Sequence, residues 1–219
     1  TLVATPIGNL GDISARALEV LGTVDLILAE DTRKTFVLLD HFNIKTRLKS
    51  FHKFNEHRVL ADIIHALKDG KHLAMVSDAG TPGISDPGFL IVRECVKEDI
   101  EVEVLPGPVA FIPALVLSGI SCDRFVFEGF LPRKKGRKTR IESLLNEERT
   151  IVLYESPHRL VKTLVDLSDV LGADRNASVS RELSKKFEET VRGTLGFLSQ
   201  HFTDNSPRGE LVLIVEGNK

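Results

Sequence analysis

The loop at residues 77–88, SDAGTPGISDPG, has the side chains and the backbone best suited to hold a small ligand. Its three glycines let backbone N–H groups approach a ligand closely, and its two prolines stiffen the path of the chain. Asp78, near the start of the loop, can accept hydrogen bonds from ligand hydroxyl groups or from an amine. The alternative is a tight surface loop with aspartate-capped turns.

A second glycine loop, TPIGNLGD at 5–12, follows the first predicted strand, and two such loops at one end of a sheet predict a small-molecule site. No G-x-G-x-x-G follows that strand and no G-x-x-x-x-G-K-[ST] occurs, so a standard dinucleotide fold or a P-loop is unsupported. The sequence also has no zinc-type His/Cys spacing and no G-x-S-x-G elbow. The acidic pairs Glu30–Asp31 and Asp78–Asp86 leave a magnesium–phosphate site open.

A basic segment, RKKGRKTR at 133–140, has six lysines and arginines and no acidic residue. The whole chain of 219 residues has a formal net charge of −2, which argues against a dedicated nucleic-acid coat protein. A local basic patch on such a chain predicts one anionic partner at one surface. The alternative is an ordinary solvated start of a helix.

The first half of the chain alternates between predicted strands and helices, which favours a mostly parallel sheet with helices on both faces. Asp12 is the expected N-cap of the first helix. In such sheets ligands bind beyond the carboxyl ends of the strands, where both glycine loops are expected. The predicted strands are TLVAT, DLILAED, RLKSF, HLAMVS and VEVLPG, and the predicted helices are DISARALEVL, RKTFVLLDHF, EHRVLADIIHALKDG and GFLIVRECVKE.

The second half repeats the alternation less regularly, so a mixed sheet is expected there. The predicted strands are RFVFEGF, TIVLYES, ASVSREL, EETVRGTL and GELVLIVEG, and the predicted helices are RKTRIESLLNEE and HRLVKTLVDLSDVLG. The segment LSGISCD, at 117–123, is the expected boundary. It gives an N-terminal α/β domain at 1–118 and a C-terminal α/β domain at 119–219.

The composition, with 42% apolar and 27% charged residues, fits a soluble globular protein. No apolar run approaches the ~20 residues that a bilayer requires, and no signal-peptide pattern is present. Cys95 and Cys122 are too few and too far apart for a metal cluster or a disulfide framework, so both are predicted to be core thiols. We therefore expect a reducing, cytoplasmic location.

Nine motifs follow one another along the chain: ATPIGNLGDIS, AEDTRKT, FNEHR, VSDAGTPGISDPG, LPGP, EGFLPRKKG, YESPHRL, SRELSKKFEE with VRGTL, and GELVLIVEG. In this order they closely resemble the ribosomal RNA small-subunit methyltransferase I family, within the tetrapyrrole methylase superfamily. The resemblance runs from residue 2 to residue 217. Ser184 stands where the family pattern leads us to expect threonine, and Val109 stands where superfamily members often have a small hydroxyl residue.

The resemblance implies S-adenosyl-L-methionine-dependent methylation of a ribose 2′-hydroxyl, on a cytidine in the decoding region of small-subunit ribosomal RNA. It also implies two α/β domains of the tetrapyrrole methylase type, with the cofactor folded in the cleft between them, and a homodimer. The lack of a long apolar run leads us to expect no membrane partner. The expected substrate is RNA within the assembled subunit. A sulfonium cofactor activates its own methyl group, so an in-line transfer needs positioning but no metal. The weakly acidic hydroxyl should be helped by a base or a proton path.

The motifs also predict which residues form the site. Each of these residues could instead have an ordinary structural role. The expected cofactor-binding residues are Pro6, Gly8, Asp78, Ala79, Gly80, Thr81, Pro82, Val109, Ala110 and Tyr154, with Val109 using its backbone. The candidate catalytic residues are Asp31, Arg33 and Glu182. Asp31 has a helix cap as its alternative role, and Glu182, with Arg181 and Lys185, has a solvated strand edge. The expected RNA-binding residues are His52, Lys53, Asn55, Arg58, Arg133, Lys134, Lys135, Arg137, Lys138 and Arg140.

Three other functions stay open at this point. The first is a methyltransferase of the same superfamily that acts on a small tetrapyrrole or on a protein side chain, and it would not need the basic segment. The second is a magnesium-dependent hydrolase with a phosphate site at Asp78 and Asp86. The third is an RNA-binding module without catalytic activity.

Overall fold

The computed structural model describes residues 1–218, which contain two compact units, one formed by Thr1–Val109 and one that begins at Ala110. The predicted division into domains 1–118 and 119–219 stays a prediction. Within the described residues, no helix has both the length and the apolar character that crossing a membrane requires.

The first unit is built on a parallel sheet of three strands, β1 (Leu26–Ala29), β2 (Leu48–Ser50) and β3 (Leu73–Val76), in the order β2–β1–β3. Its helices are α1 (Ala15–Thr23), α2 (Thr32–His41), α3 (Glu56–Lys68) and α4 (Phe89–Lys97). Ile27 and Ala29 of β1 pack in one apolar core with α1 and α2, whereas Leu28 packs in another with α3 and α4. The predicted parallel sheet with helices on both faces is confirmed.

The segments TLVAT and VEVLPG, predicted as strands, extend this sheet by single bridges only. Leu2 pairs in parallel with Met75 of β3 on one side and with Val104 on the other. The first segment then leaves the parallel ladder because Thr5 pairs antiparallel with Gly80. The carboxyl ends of all the parallel segments nevertheless lie at the same edge of the first sheet. We call the loops found there, residues 5–12, 30–31, 51–55, 77–88 and 105–109, the carboxyl end of the first sheet.

The prediction that Asp12 caps the first helix is wrong. Ser14 is the cap of α1, since its Oγ accepts a hydrogen bond from the backbone N–H of Ala17 at 3.1 Å. Asp12 instead ends a short 3₁₀ turn, Leu10–Asp12, which Ile13 and Ser14 separate from the helix. The turn has its own cap, because the side chain of Asn9 accepts the N–H of Gly11 at 3.0 Å.

The second unit contains a five-stranded mixed sheet, as predicted, in the order β4–β5–β8–β6–β7. The strands are β4 (Phe125–Phe130), β5 (Thr150–Glu155), β6 (Asn176–Arg181), β7 (Glu189–Thr194) and β8 (Leu211–Val215). β4 and β5 are parallel, and β8 runs antiparallel to both β5 and β6. β4, β5 and β6 therefore share a direction, and their carboxyl ends lie at the same end of the sheet. The pairing of β4 is irregular between Phe127 and Gly129, where Gly129 has a φ of +59°.

Helices cover both faces of the second sheet: α5 (Phe111–Ser118), α6 (Arg137–Glu142), α7 (Leu160–Leu171) and α8 (Leu195–Asp204). Leu153 of β5 packs in one core with α6, α7 and α8, whereas Tyr154 points to the opposite face and contacts Phe111 of α5. α5 was not predicted, because its almost wholly apolar sequence with a central proline shows no amphipathic period. Cys95 is buried as expected, but Cys122 is exposed, because it lies in a surface segment after α5.

Arg137 is buried at the start of α6, which corrects its predicted role as an RNA contact. Its guanidinium donates hydrogen bonds to Asp166 and Thr163 of α7, both at 2.8 Å, and to the carbonyl of Pro132 at 3.3 Å. Burial opposes ionisation of Asp166, but hydrogen bonds from Arg137 and Lys162 outweigh it and hold the pKa of Asp166 below its usual value. A guanidinium that is used inside the protein in this way is a structural group.

Glu155, the last residue of β5, extends this buried network. One carboxylate oxygen accepts the hydroxyl of Thr163 at 2.6 Å, and the other accepts the backbone N–H of Ser156 at 2.8 Å. Arg159 pairs with the same carboxylate at 3.4 Å and donates to the carbonyl of Leu131 at 2.9 Å. Two arginines of the network thus hold the chain immediately after β4, at Leu131 and Pro132.

We expect the substitution Arg137→Gln to lower the free energy of unfolding by about 2–4 kcal/mol, because it leaves buried acceptors without a donor. Lys138→Gln is the matched control. Lys138 is exposed and lies 3.7 Å from Glu142, so its loss should cost less than ~0.5 kcal/mol. Urea unfolding of the two variants measures the difference, and equal effects would contradict a buried role for Arg137.

Candidate functional site

Three loops of the first unit are tied together at the carboxyl end of the first sheet. Thr5 and Gly80 exchange two backbone hydrogen bonds, each 2.9 Å long. The hydroxyl of Thr81 donates to the carbonyl of Pro108 at 3.0 Å. Gly107 lies so close to the first segment that a Cβ there would come within 2.7 Å of the Cβ of Ala4. These links bring together the loops that carry most of the predicted cofactor-binding residues of this unit.

Backbone groups in these loops suit a ligand that has hydroxyl, carboxylate and adenine groups. Gly80 has a φ of +84°, a conformation that other residues rarely adopt. Ala79 and Val109 are half-buried residues, and their backbone N–H groups make no hydrogen bond to another residue among 1–218. Such donors can bind a ligand without a dinucleotide fingerprint. Ala110 and Tyr154, which are also predicted cofactor residues, belong to the second unit.

Asp78 joins the loop after β3 to the loop after β1. One carboxylate oxygen accepts the backbone N–H of Asp31 at 3.0 Å, and the other pairs with Lys34 at 2.6 Å. A carboxylate has about four acceptor positions, so these two contacts leave room for a ligand hydroxyl. Among residues 1–218, no group of three or more His, Cys, Asp or Glu side chains is placed to hold a metal ion.

Asp31 caps α2, which is the structural alternative considered for it. Its carboxylate accepts the backbone N–H of Arg33 at 2.9 Å and the Arg33 guanidinium at 3.0 and 2.7 Å. These hydrogen bonds hold the pKa of Asp31 far below its usual value, so this carboxylate is a weak proton acceptor. Glu30 behaves oppositely, because burial and the nearby charge of Asp78 raise its pKa. The catalytic roles of Asp31 and Arg33 stay predictions.

Glu182, the third candidate catalytic residue, lies in a strained loop after β6. Glu182 has a φ of +50° and Ser184 a φ of +64°, both unusual for residues other than glycine. The Glu182 carboxylate accepts Lys185 at 3.0 Å and the backbone N–H of Glu210 at 3.1 Å. The hydrogen bond from Lys185 lowers the pKa of Glu182. Strained backbone held by charged contacts is frequent at functional sites, and the role of Glu182 stays a prediction.

The six cations of the basic segment 133–140 differ in whether they form an ion pair. Arg137 and Lys138 form the ion pairs described above. Arg140 is also ion-paired, because its guanidinium donates to the buried carboxylate of Glu128 at 2.6 and 2.7 Å. The free cations, as we call Arg133, Lys134 and Lys135, are exposed, and no described acidic residue forms an ion pair with any of them. Burial thus removes Arg137 from the predicted patch, whereas Lys138 and Arg140 are exposed but ion-paired, and the free cations are exposed and unpaired.

The other predicted RNA-binding residues follow β2 in the first unit. Asn55 is a structural residue there, because its side chain accepts the N–H of His52 at 2.9 Å and donates to the carbonyl of Ser50 at 3.1 Å. Lys53 is exposed, with its ammonium 5.1 Å from the centre of the exposed Phe54 ring. Arg58 is also exposed, at the start of α3.

Sequence reasoning missed an aromatic cluster in the second unit. The ring of Tyr154 lies 5.2 Å from that of Phe127, 5.6 Å from that of Phe130 and 6.5 Å from that of Phe111. The signal was present in RFVFEGF, whose three phenylalanines were assigned only to a strand.

Comparison with protein families gives one match over most of the chain. Residues 1–199 match the model of the Tetrapyrrole (Corrin/Porphyrin) Methylases. Solved structures agree with this fold. Diphthine synthase superposes with a TM-score of 0.75 at 15% identity, covering 98% of this chain and 88% of its own. Uroporphyrin-III-C-methyltransferase from Thermus thermophilus superposes with a TM-score of 0.67 at 17% identity, covering 97% and 91%. At these identities the likeness shows the fold alone.

Curated relatives are much more similar in sequence. A protein of Synechocystis sp. is 53% identical over 99% of this chain and 78% of its own length. One of Thermotoga maritima is 47% identical over 100% and 98%, and one of Escherichia coli O157:H7 is 48% identical over 100% and 77%. All three carry the name Ribosomal RNA small subunit methyltransferase I. The chain therefore belongs to the tetrapyrrole methylases and, within them, to the ribosomal RNA small subunit methyltransferase I family.

Proposed function

We propose that this chain methylates the ribose 2′-hydroxyl of a cytidine in the decoding region of small-subunit ribosomal RNA, within the assembled subunit. The observation that carries the proposal is the identity of 47–53% to relatives of that name over 99–100% of the chain. The free cations support it, because an RNA substrate presents a polyanion to the enzyme. We also propose a homodimer, as the family resemblance implies, and a cytoplasmic location, as the two scattered cysteines predict.

Enzymes of this family use S-adenosyl-L-methionine, whose sulfonium supplies an activated methyl group when it is bound. We assign its binding in the first unit to the three tied loops. Asp78 has acceptor positions left for hydroxyl groups, and the unbonded N–H groups of Ala79 and Val109 can donate to acceptors of the ligand. The remaining proposed cofactor residues are Pro6, Gly8, Gly80, Thr81 and Pro82 in these loops, with Ala110 and Tyr154 in the second unit.

Proton removal from the hydroxyl needs a group with a suitable pKa at the substrate. Asp31 and Glu182 are both held by cations that lower their pKa, so each would accept a proton poorly in this state. Glu30 has a raised pKa and lies at the carboxyl end of the first sheet. Glu30 is therefore a stronger proton acceptor than Asp31 or Glu182. Arg33, whose side chain is largely exposed, is suited to contact RNA phosphate.

The function is tested by incubating the protein with tritiated S-adenosyl-L-methionine and small subunits from a strain that lacks this enzyme. We expect label on one cytidine ribose of the decoding region and none on subunits from the parent strain, whose site is already methylated. Mapping the labelled nucleotide fixes the substrate and the position. Label on a ribosomal protein, or no label with subunits and free RNA alike, would contradict the proposal.

Substitution of Gly80 tests the cofactor loops. A left-handed backbone costs a residue other than glycine about 1–2 kcal/mol, so Gly80→Ala should lower S-adenosyl-L-methionine affinity about tenfold as the loop shifts to relieve the strain. Gly70→Ala is the control, because Gly70 has a similar φ of +80° but lies at the end of α3, away from these loops. Gly70→Ala should lower stability alone. Calorimetric titration that finds equal cofactor affinity in both variants would remove Gly80 from the site.

Neutralising the free cations tests the RNA surface. Replacing all three with glutamine should flatten the slope of log K against log salt by about 2 units, since each phosphate contact on a single strand contributes roughly 0.7. The control replaces Lys68, Lys71 and Lys97 with glutamine, which changes the net charge by the same amount. Each of these lysines is ion-paired and lies away from the glycine loops. Binding of a decoding-region RNA fragment is measured at several salt concentrations. Equal slopes for the two triple variants would mean that the free cations do not contact phosphate.

A further inference from the structure

We propose that Phe130, backed by the ring of Tyr154, is a stacking surface for an unpaired base of the bound RNA. The inference rests on the proposed function and assigns a base-binding position within it. Stacking of bases on aromatic side chains is the common way in which proteins bind single-stranded RNA segments, and it works for every base because each has a π-face.

Phe130 is a large apolar side chain that is exposed and also contacts another aromatic ring. It is the last residue of β4, and 54% of it is exposed. It pairs across the sheet with Tyr154 of β5, and the two ring centres lie 5.6 Å apart. Tyr154 in turn contacts Phe111 and Phe127, whose rings stack 4.8 Å apart. With Phe125, which contacts Phe111 at 5.9 Å and is 36% exposed, these rings form a group of five. Phe130 is its most exposed member, and the ring of Tyr154 supports it on one side.

The residues that follow Phe130 supply the charge that RNA requires. The free cations begin three residues after it, and the intervening carbonyls of Leu131 and Pro132 are held by the buried arginines Arg159 and Arg137. A flat apolar ring and three unpaired cations are thus presented on a segment that is already fixed in place. Such preorganisation lowers the entropy cost of binding. Base stacking and phosphate contact are the two interactions that an unpaired nucleotide offers together.

The same charge argues against a second copy of this chain as the partner at this surface. A two-fold interface places the same patch of both copies face to face, which would bring three cations close to three others. Like charges in that arrangement are destabilising. An anionic partner with planar apolar groups, which is the chemistry of RNA, satisfies both the cations and the ring.

The absence of tryptophan from the sequence makes the proposal directly measurable. The variant Phe130→Trp keeps a stacking ring and introduces the only indole, whose fluorescence falls when a base stacks on it. The matched control is Phe197→Trp. Phe197 is 52% exposed in α8, which begins where β7 ends, and β7 is antiparallel to β6. Phe197 therefore lies at the opposite end of the sheet from Phe130.

Two probes separate stacking from charge: a decoding-region RNA fragment and inorganic polyphosphate, a polyanion without bases. We expect the RNA to quench the indole of Phe130→Trp but not that of Phe197→Trp. We expect polyphosphate to quench neither, although it competes with the RNA for the cations. Quenching of Phe130→Trp by both probes alike, or by neither, would overturn the stacking role.

Removal of the ring gives a second measurement. Phe130→Ala should weaken RNA binding about tenfold with an unchanged salt slope, because the ring has no charge, and Phe130→Trp should bind like the original protein. Unchanged RNA affinity in a folded Phe130→Ala variant would overturn the proposal, and an accompanying change of sedimentation coefficient would assign the surface to a second copy. If the unsubstituted protein binds and methylates RNA, only the stacking role is lost. If it does neither, the proposed function fails as well.

Discussion

The mutual backbone pairing of Thr5 and Gly80 is the contact on which the carboxyl end of the first sheet depends. It forms because Gly80 adopts a left-handed backbone, and it turns the first segment away from the parallel ladder and against the loop after β3. Gly107 and Thr81 then attach the third loop to the first two. Because the links use backbone and small groups, little side-chain bulk separates the remaining N–H donors from a ligand.

Much of the first unit was predictable, because strands between amphipathic helices can form little other than a parallel sheet. The failures have different causes. TLVAT has the composition of a strand, but its pairing is ended by Gly80, which is remote in sequence. Asp12 and Ser14 are both good caps, and only the path of the chain through the turn at Leu10–Asp12 decides between them. A contact with a distant residue sets where the first segment leaves the sheet, whereas the start of α1 depends on the local path of the chain.

The sequence likewise predicted one part of the candidate site better than another. The glycine loops were identified from their own residues, because backbone conformation is a local property. The basic segment was not resolved in the same way, because the acidic partners of Arg137 and Arg140 lie outside it. Asp166 is 29 residues from Arg137, and Glu128 is 12 residues from Arg140. The order of charges along the chain cannot show which side chains are buried or ion-paired, so only the structure separates the three free cations from Arg137, which is buried, and from Lys138 and Arg140, which are ion-paired.

The irregular pairing inside β4 bears on how this chain avoids association with other strands. β4 is an edge strand in the part of the chain that the structure describes, and it exposes Phe125 and Phe130. A straight apolar edge of this kind is a template for aggregation. The break between Phe127 and Gly129 bends the strand and interrupts the regular row of N–H and C=O groups that an incoming strand would need. An edge interrupted in this way can keep aromatic rings in water while resisting the growth of a larger sheet.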